Sequence, residues 1–151
     1  MERGRLDKAY EPSQVEPEWS ARWLAAGAFE PVPRPELGTD TSPFVVLLPP
    51  PNVTGVLHMG HVLANTLQDV FVRWQRMRGR ETLWWPGTDH AGIATQKGVE
   101  KHLRSQGIDP LALGREAFVQ QCWEWKDRAH RHIVSQMQRL GWSLDWKREY
   151  F

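Results

Sequence analysis

Hydrophobic spacing along the chain separates it into segments. After a polar lead-in over residues 1–12, Val15, Trp19 and Trp23 recur one turn apart. That spacing predicts a helix from Glu16 to Ala26, with Gly27 as its C-terminal cap. Residues 31–43 hold four prolines together with Gly38, Thr39, Asp40 and Ser42, the make-up of a linker or loop. Phe44 to Leu48 is an unbroken apolar run between Pro43 and Pro49, and predicts a buried strand of a parallel sheet. Pro49-Pro50-Pro51-Asn52-Val53-Thr54-Gly55 cannot extend that strand, because proline offers no N–H to a ladder, so it must be a loop. From Gly60 to Met77, the residues Leu63, Leu67, Val70, Phe71, Trp74 and Met77 fall on one helical face, and Gly79 stops the helix. Thr82 to Trp85 predicts a second strand, ended by Pro86-Gly87. Two further helices are expected, from Ile93 to Gln106 and from Arg115 to Leu140. The second carries Phe118, Cys122, Trp125, Ala129, Ile133, Met137 and Leu140 as a core-facing stripe. Trp142 to Phe151 shows no clear period.

Strand, helix and strand over residues 44–85 make a βαβ unit, which implies parallel strands and a right-handed crossover. Two strands are too few for a doubly wound sheet, in which about five or six are usual. The expectation is therefore an α/β protein in which residues 43–151 are the first half of such a domain, truncated, and residues 1–42 are a helical extension and linker.

Composition adds little to this picture. An apolar fraction of 40% and a charged fraction of 25% over 151 residues are ordinary for a globular domain. The formal net charge of +1 neither favours nor excludes a nucleic-acid partner. Nine tryptophans call for large buried or partner-facing surfaces. A single cysteine, Cys122, excludes a disulfide within the chain and fits a reducing compartment. The charged N-terminus lacks the apolar stretch of a signal peptide, and no run is long enough to cross a bilayer. A cytoplasmic protein without membrane contact is expected.

The chemistry concentrates between Pro49 and His61. In open α/β sheets, ligands sit beyond the C-terminal ends of the strands. This loop leaves the first strand at that edge and enters a helix at Gly60, where free N–H groups and the helix dipole favour phosphate. Gly55 and Gly60 allow close approach to the backbone. His58 and His61, three apart, lie on neighbouring positions of the first turn and can aim donors at one anionic region. Such donors suit a reaction that must stabilise charge on transferring phosphoryl oxygens. Asp89, following the second strand, falls at the same edge, and beside the proline carbonyls it could hold an ammonium group.

Plainer readings exist for each piece. His58 and His61 could begin a zinc site with His90 or Asp89, although no cysteine or further histidine completes a usual ligand set. Asp89 could be a turn or cap residue, and the tri-proline a stiff turn. Trp84, Trp85, Trp123 and Trp125 could serve packing alone. His102, His130 and His132 read as solvated surface. Several independent pieces nevertheless converge on one sheet edge.

Pro51-Asn-Val-Thr-Gly-Val-Leu-His-Met-Gly-His61 resembles the first signature of the class I aminoacyl-tRNA synthetases, with Met59 at its isoleucine position. The prefix Pro-Pro-Pro-Asn-Val-Thr-Gly, and Gly87-Thr-Asp-His-Ala-Gly-Ile-Ala-Thr-Gln96, are similar to the valine branch of that family. Similarity continues through Arg73-Trp-Gln-Arg-Met-Arg-Gly79, Gly114-Arg-Glu-Ala-Phe118, Trp123-Glu-Trp-Lys126 and Leu144-Asp-Trp146. The resemblance implies a Rossmann-like catalytic domain. It implies that His58, Gly60 and His61, with Thr54, bind ATP, and that His58 and His61 stabilise adenylation. Pro50, Asn52 and Asp89 are then expected to position valine, and no residue is assigned to a resident metal. Magnesium should accompany ATP. The full-length enzyme is expected to be a monomer that passes valine to tRNA(Val). The family's Lys-Met-Ser-Lys-Ser signature, editing insertion and anticodon-binding helices are absent, so the isolated chain is expected to be weakly active or inactive. An inactive fragment that binds ATP, tRNA or a partner, and another nucleotidyltransferase with a similar His-x-Gly-His, are the alternatives.

Overall fold

The computed structural model describes residues 9–32, Glu36 and 42–151. Most of the predicted linker therefore lies outside the described residues. Helix α1 spans Pro12–Ala25, β1 Phe44–Leu47, α2 Met59–Met77, β2 Thr82–Trp85, α3 Gly92–Ser105 and α4 Arg115–Arg139. Helix α1 begins four residues before the predicted start, because Pro12 occupies its first turn, where a missing N–H is harmless. Gly27 adopts φ +61° just past its end, the left-handed turn that a glycine cap supplies.

The strands pair in parallel, Phe44 opposite Thr82 through Leu47 opposite Trp85, as a βαβ unit requires. Residues 145–150 run along the outer side of β2. Asp145 N donates to the Trp84 carbonyl at 3.1 Å, and Tyr150 N donates to that of Pro86 at 3.3 Å. Gly87 pairs with Tyr150 there; a Cβ on Gly87 would lie 3.0 Å from the Tyr150 carbonyl oxygen, so a larger residue would push that segment back by a few tenths of an ångström. The aperiodic C-terminal segment is thus an irregular third lane of the sheet.

The core joins Leu48, Val53 and Leu57 of the first loop to Val72 of α2, Trp84 of β2 and Ile133 and Met137 of α4, closed by Trp142 and Leu144. Trp84 and Trp142 meet at 6.3 Å between centroids. Of the predicted α4 stripe, only Ile133 and Met137 are fully buried, and Leu140 is exposed.

Helix α2 buries polar positions and leaves apolar ones bare. Its apolar stripe faces outward: Leu63, Leu67, Val70, Phe71, Trp74 and Met77 are all at least 46% exposed. Its buried positions are Asn65, Asp69, Val72 and Gln75. Burying polar groups is tolerable only where they are hydrogen-bonded. Asp69 accepts from Ser143 N at 3.0 Å, from Ser143 Oγ at 2.5 Å and from Arg73 Nε at 2.8 Å. Arg73 also donates to the Gly141 carbonyl, and Arg76 to the Ser143 carbonyl and to that of Phe29. This network fastens α2 to the turn after α4 and to the segment after α1. Strand β1 shows the same asymmetry. Val45 and Leu47 are exposed while Phe44 and Val46 face the core, so the predicted two-sided burial holds on one face only.

Candidate functional site

The loop leaving β1 and the loop leaving β2 are stitched together beyond the strand ends. Leu48 N donates to the Trp85 carbonyl at 3.0 Å. Farther out, Asp89 N donates to the Pro51 carbonyl at 3.0 Å and Val53 N to the Asp89 carbonyl at 2.9 Å. These two bonds pair Asn52 with Asp89 as an isolated parallel bridge. Two residues expected at one sheet edge from separate loops therefore stand side by side, both exposed. Pro50 and Thr54, in the same loop, are exposed as well, whereas Pro51 is buried.

The Asp89 loop then turns sharply into α3. Ala91 adopts φ +42°, the one positive value among the described non-glycine residues. A left-handed alanine costs roughly 1–2 kcal/mol. Neighbouring bonds hold it there: Ala91 N donates to Asp89 Oδ1 at 3.3 Å, Thr95 N donates to the Ala91 carbonyl, and Thr95 Oγ1 donates to the His90 carbonyl. Strain retained by surrounding bonds is common at binding sites. Thr88 is buried beside Asp89, and its hydroxyl has no partner among the described residues.

His58 and His61 cap each other at the N-terminus of α2. His58 is the N-cap, and its Nδ1 accepts from Gly60 N at 3.2 Å. His61 Nδ1 accepts from His58 N at 3.2 Å, and the ring centroids stand 4.0 Å apart. Each Nδ1 is an acceptor, so each neutral ring carries its proton on Nε2. The pair thus presents two N–H donors at the positive end of the α2 dipole, where the Gly60 and His61 N–H groups are already engaged by His58. Burial lowers the His61 pKa from its ordinary 6.5, repulsion from His58 lowers it further, and its bond with the His58 backbone acts the other way. His61 is therefore an uncharged donor at neutral pH.

Gly60 has a reason beyond the one inferred from sequence. A Cβ there would lie 3.0 Å from His58 Cε1 and 3.1 Å from its Nδ1. The glycine leaves room for the His58 ring to fold back over the first turn. Nothing within 4 Å restricts a Cβ at Gly55.

Sequence reasoning missed two residues of α4 that hold the loop from behind. Trp125 Nε1 donates to the Val53 carbonyl at 3.2 Å, and Gln136 Oε1 accepts from Leu57 N at 2.9 Å. Only their separation of about three helical turns could have hinted that they share a face. Two histidines read as solvated surface are also engaged. His102 packs on Trp125 at 5.6 Å, and half-buried His130 pairs with Glu149. A groove of about 1310 Å³ between α1 and the end of α4 contains none of the site residues, so volume alone does not mark this site. No described helix is long and apolar enough to cross a membrane.

Comparison with known proteins agrees with this geometry. Residues 18–151 match the family described as tRNA synthetases class I (I, L, M and V). Valine-tRNA ligase of Caulobacter vibrioides is 54% identical over 147 residues, which cover 97% of this chain and 16% of that protein. The valine-tRNA ligase of Thermus thermophilus is 52% identical over 146 residues, again 97% and 16%. That of Geobacter sulfurreducens is 50% identical over 151 residues, 100% of this chain and 17% of the relative. The chain therefore spans roughly one sixth of the length of these relatives. Among solved structures, a LeuRS of Agrobacterium radiobacter in a ternary complex with tRNA and LeuAMS superposes with a TM-score of 0.70 over 94% of this chain and 16% of that one, at 23% identity, which speaks for the fold. With its α/β topology, its capped His-x-Gly-His helix and a family match over nearly its whole length, this chain belongs to the class I tRNA synthetases.

Proposed function

We propose that this chain carries the amino-acid- and ATP-facing part of a valine-tRNA ligase, whose full-length form converts valine and ATP to valyl-adenylate and pyrophosphate and then passes valine to the 3′ end of tRNA(Val). The observation that carries this reading is the Asn52–Asp89 bridge, which sets an exposed carboxylate on the same sheet edge as the doubly capped His58–His61 helix start.

Adenylation needs two things that this edge can supply. Valine must be oriented with its carboxylate toward the α-phosphorus. Asp89 holds the ammonium group as a charge-assisted acceptor, aided by Asn52 and the Pro50 carbonyl. Negative charge grows on the phosphoryl oxygens as the valine carboxylate attacks and pyrophosphate leaves. The Nε2–H groups of His58 and His61 and the positive end of the α2 dipole stabilise it, with Gly60 permitting close approach and Thr54 on the nucleotide side. No proton has to move, which agrees with a His61 that burial keeps neutral. Magnesium arrives with ATP as part of the substrate. The tRNA contacts, the cytoplasmic location and a monomeric assembly belong to the full-length protein in this reading.

The test is valine-dependent exchange of pyrophosphate into ATP by the full-length protein, with isoleucine and threonine as comparisons. Exchange with valine should fall about 10²-fold or more in His61→Ala. It should lose valine affinity in Asp89→Asn. Exchange that prefers another amino acid would overturn the valine assignment. An Asp89→Asn protein with unchanged substrate affinity would point instead to a nucleotidyltransferase whose substrate has no ammonium group.

A further inference from the structure

The exposed tip Thr54-Gly55-Val56 separates two anchored ends of one loop. At the first end, Val53 is wholly buried; its N–H is bound to the Asp89 carbonyl and its own carbonyl to the Trp125 indole. Trp125 is oriented in turn by α3. Gly98 there leaves contact distance to the indole, 3.5 Å from its Cζ2 to a Cβ placed on the glycine, and His102 packs on the ring. Trp125, Val53 and Asp89 therefore form a continuous chain from α4 to the Asn52–Asp89 bridge. At the second end, Leu57 is buried, and its N–H ends on Gln136 Oε1 one residue before the His58 cap. The two tethers lie about three turns apart on one face of α4. Ile133 and Met137, both buried in the core, keep that helix fixed beneath the loop.

We infer that Trp125 and Gln136 are positioning residues with separate duties. Trp125 sets the end of the loop that holds the amino acid, and Gln136 sets the end that holds the ATP phosphates. Neither is placed in contact with substrate. Each acts through the backbone it grips. This inference rests on the reading of the site as an adenylation centre. Its distinguishing consequence is a split: one tether should be felt by one substrate only. A purely structural role would lower stability or the active fraction and leave the two KM values unmoved, or move them together.

The experiment uses the full-length protein and three variants. Gln136→Met keeps length and helix preference without a good acceptor. Gln136→Glu keeps the acceptor. Trp125→Phe keeps an aromatic ring without the N–H. KM for ATP and for the amino acid are measured by pyrophosphate exchange, and ATP affinity by calorimetry without amino acid. Gln136→Met should weaken ATP about three- to tenfold, the usual effect of one neutral hydrogen bond, with KM for valine within about twofold. Gln136→Glu should restore ATP affinity to within about twofold of the parent. Trp125→Phe should raise KM for valine by a similar factor and leave ATP within about twofold. If Gln136→Met does not fold, Gln136→Asn, whose amide stops one methylene short, takes its place. Equal shifts in both substrates, no shift in either, or a glutamate variant as weak as the methionine one would overturn the inference. Exchange by the parent with a different amino acid would defeat the valine reading alone, and the split would be read with that amino acid. A parent that exchanges with none would defeat the adenylation reading, and the calorimetric order of Gln136→Met against Gln136→Glu would still decide the role of Gln136.

Discussion

Replacing Gly60 by alanine sets two effects of similar size against each other. An alanine Cβ would approach His58 Cε1 to 3.0 Å, whereas carbon atoms rest at about 3.5–4.0 Å. Relief requires the His58 ring to move by roughly 0.5 Å. The bond from Gly60 N to His58 Nδ1, now 3.2 Å, then stretches past useful length. Loss of a helix cap costs about 1 kcal/mol. Alanine gains up to about 1 kcal/mol over glycine within a helix, and less in its first turn. Folding stability should therefore change little. Activity should not be spared, because the Nε2–H of His58 moves with the ring. One misplaced donor to a developing anion costs on the order of 10²–10³ in rate. Thermal melts and valine-dependent pyrophosphate exchange on full-length protein give the two readouts. The expected result is a nearly unchanged melting temperature with exchange reduced about 10²-fold. In a His58→Ala background the same glycine substitution should do little further harm, since the clash and the donor are both gone. Exchange within about threefold of the parent, or an equal additional loss in the His58→Ala background, would refute the claim that Gly60 acts through the His58 ring.

Three further outcomes are expected. Asp69→Ala strands the buried Ser143 N–H and removes the ionic partner of Arg73, and should cost about 3 kcal/mol in denaturant unfolding; a loss below about 1 kcal/mol would mean that solvent replaces the carboxylate. His61, whose folded pKa lies below 6.5, contributes stability that is complete above pH 6.5 and is lost as pH falls through the folded value; NMR of isotope-labelled histidine should show its midpoint below 6.5, and a midpoint at or above that contradicts the partly buried, neutral donor. The 151-residue chain expressed alone should self-associate through the bare face of α2, and Leu67→Lys with Phe71→Glu should reduce that association; a monodisperse parent in sedimentation would refute this.

Much of the site was legible because its signals are local. Proline ends both strands, glycine follows the C-cap of all four α-helices, and a three-residue step puts His58 and His61 on one turn. The positions of β1, α2 and β2 were read to within one residue, since short apolar runs between prolines admit few alternatives. That Asp89 and the loop of Asn52 share one edge was expected from topology, because parallel strands joined by one crossover deliver both loops there; the pairing of Asn52 with Asp89 itself came only from the structure.

What the sequence alone determined, then, is the order and kind of the elements and the edge where the candidate site residues gather. The tertiary structure decided which faces are covered and what holds the loop. Periodicity establishes that α2 has an apolar stripe, but it carries no information about where a partner for that stripe lies. In this chain the helix turns Asn65, Asp69 and Gln75 inward instead, because long-range partners such as Ser143 satisfy the carboxylate of Asp69. Likewise nothing near Val53 or Leu57 in sequence announces Trp125 or Gln136. Those bonds join residues 72 and 79 positions apart, and only packing of α4 beneath the loop brings their atoms within reach.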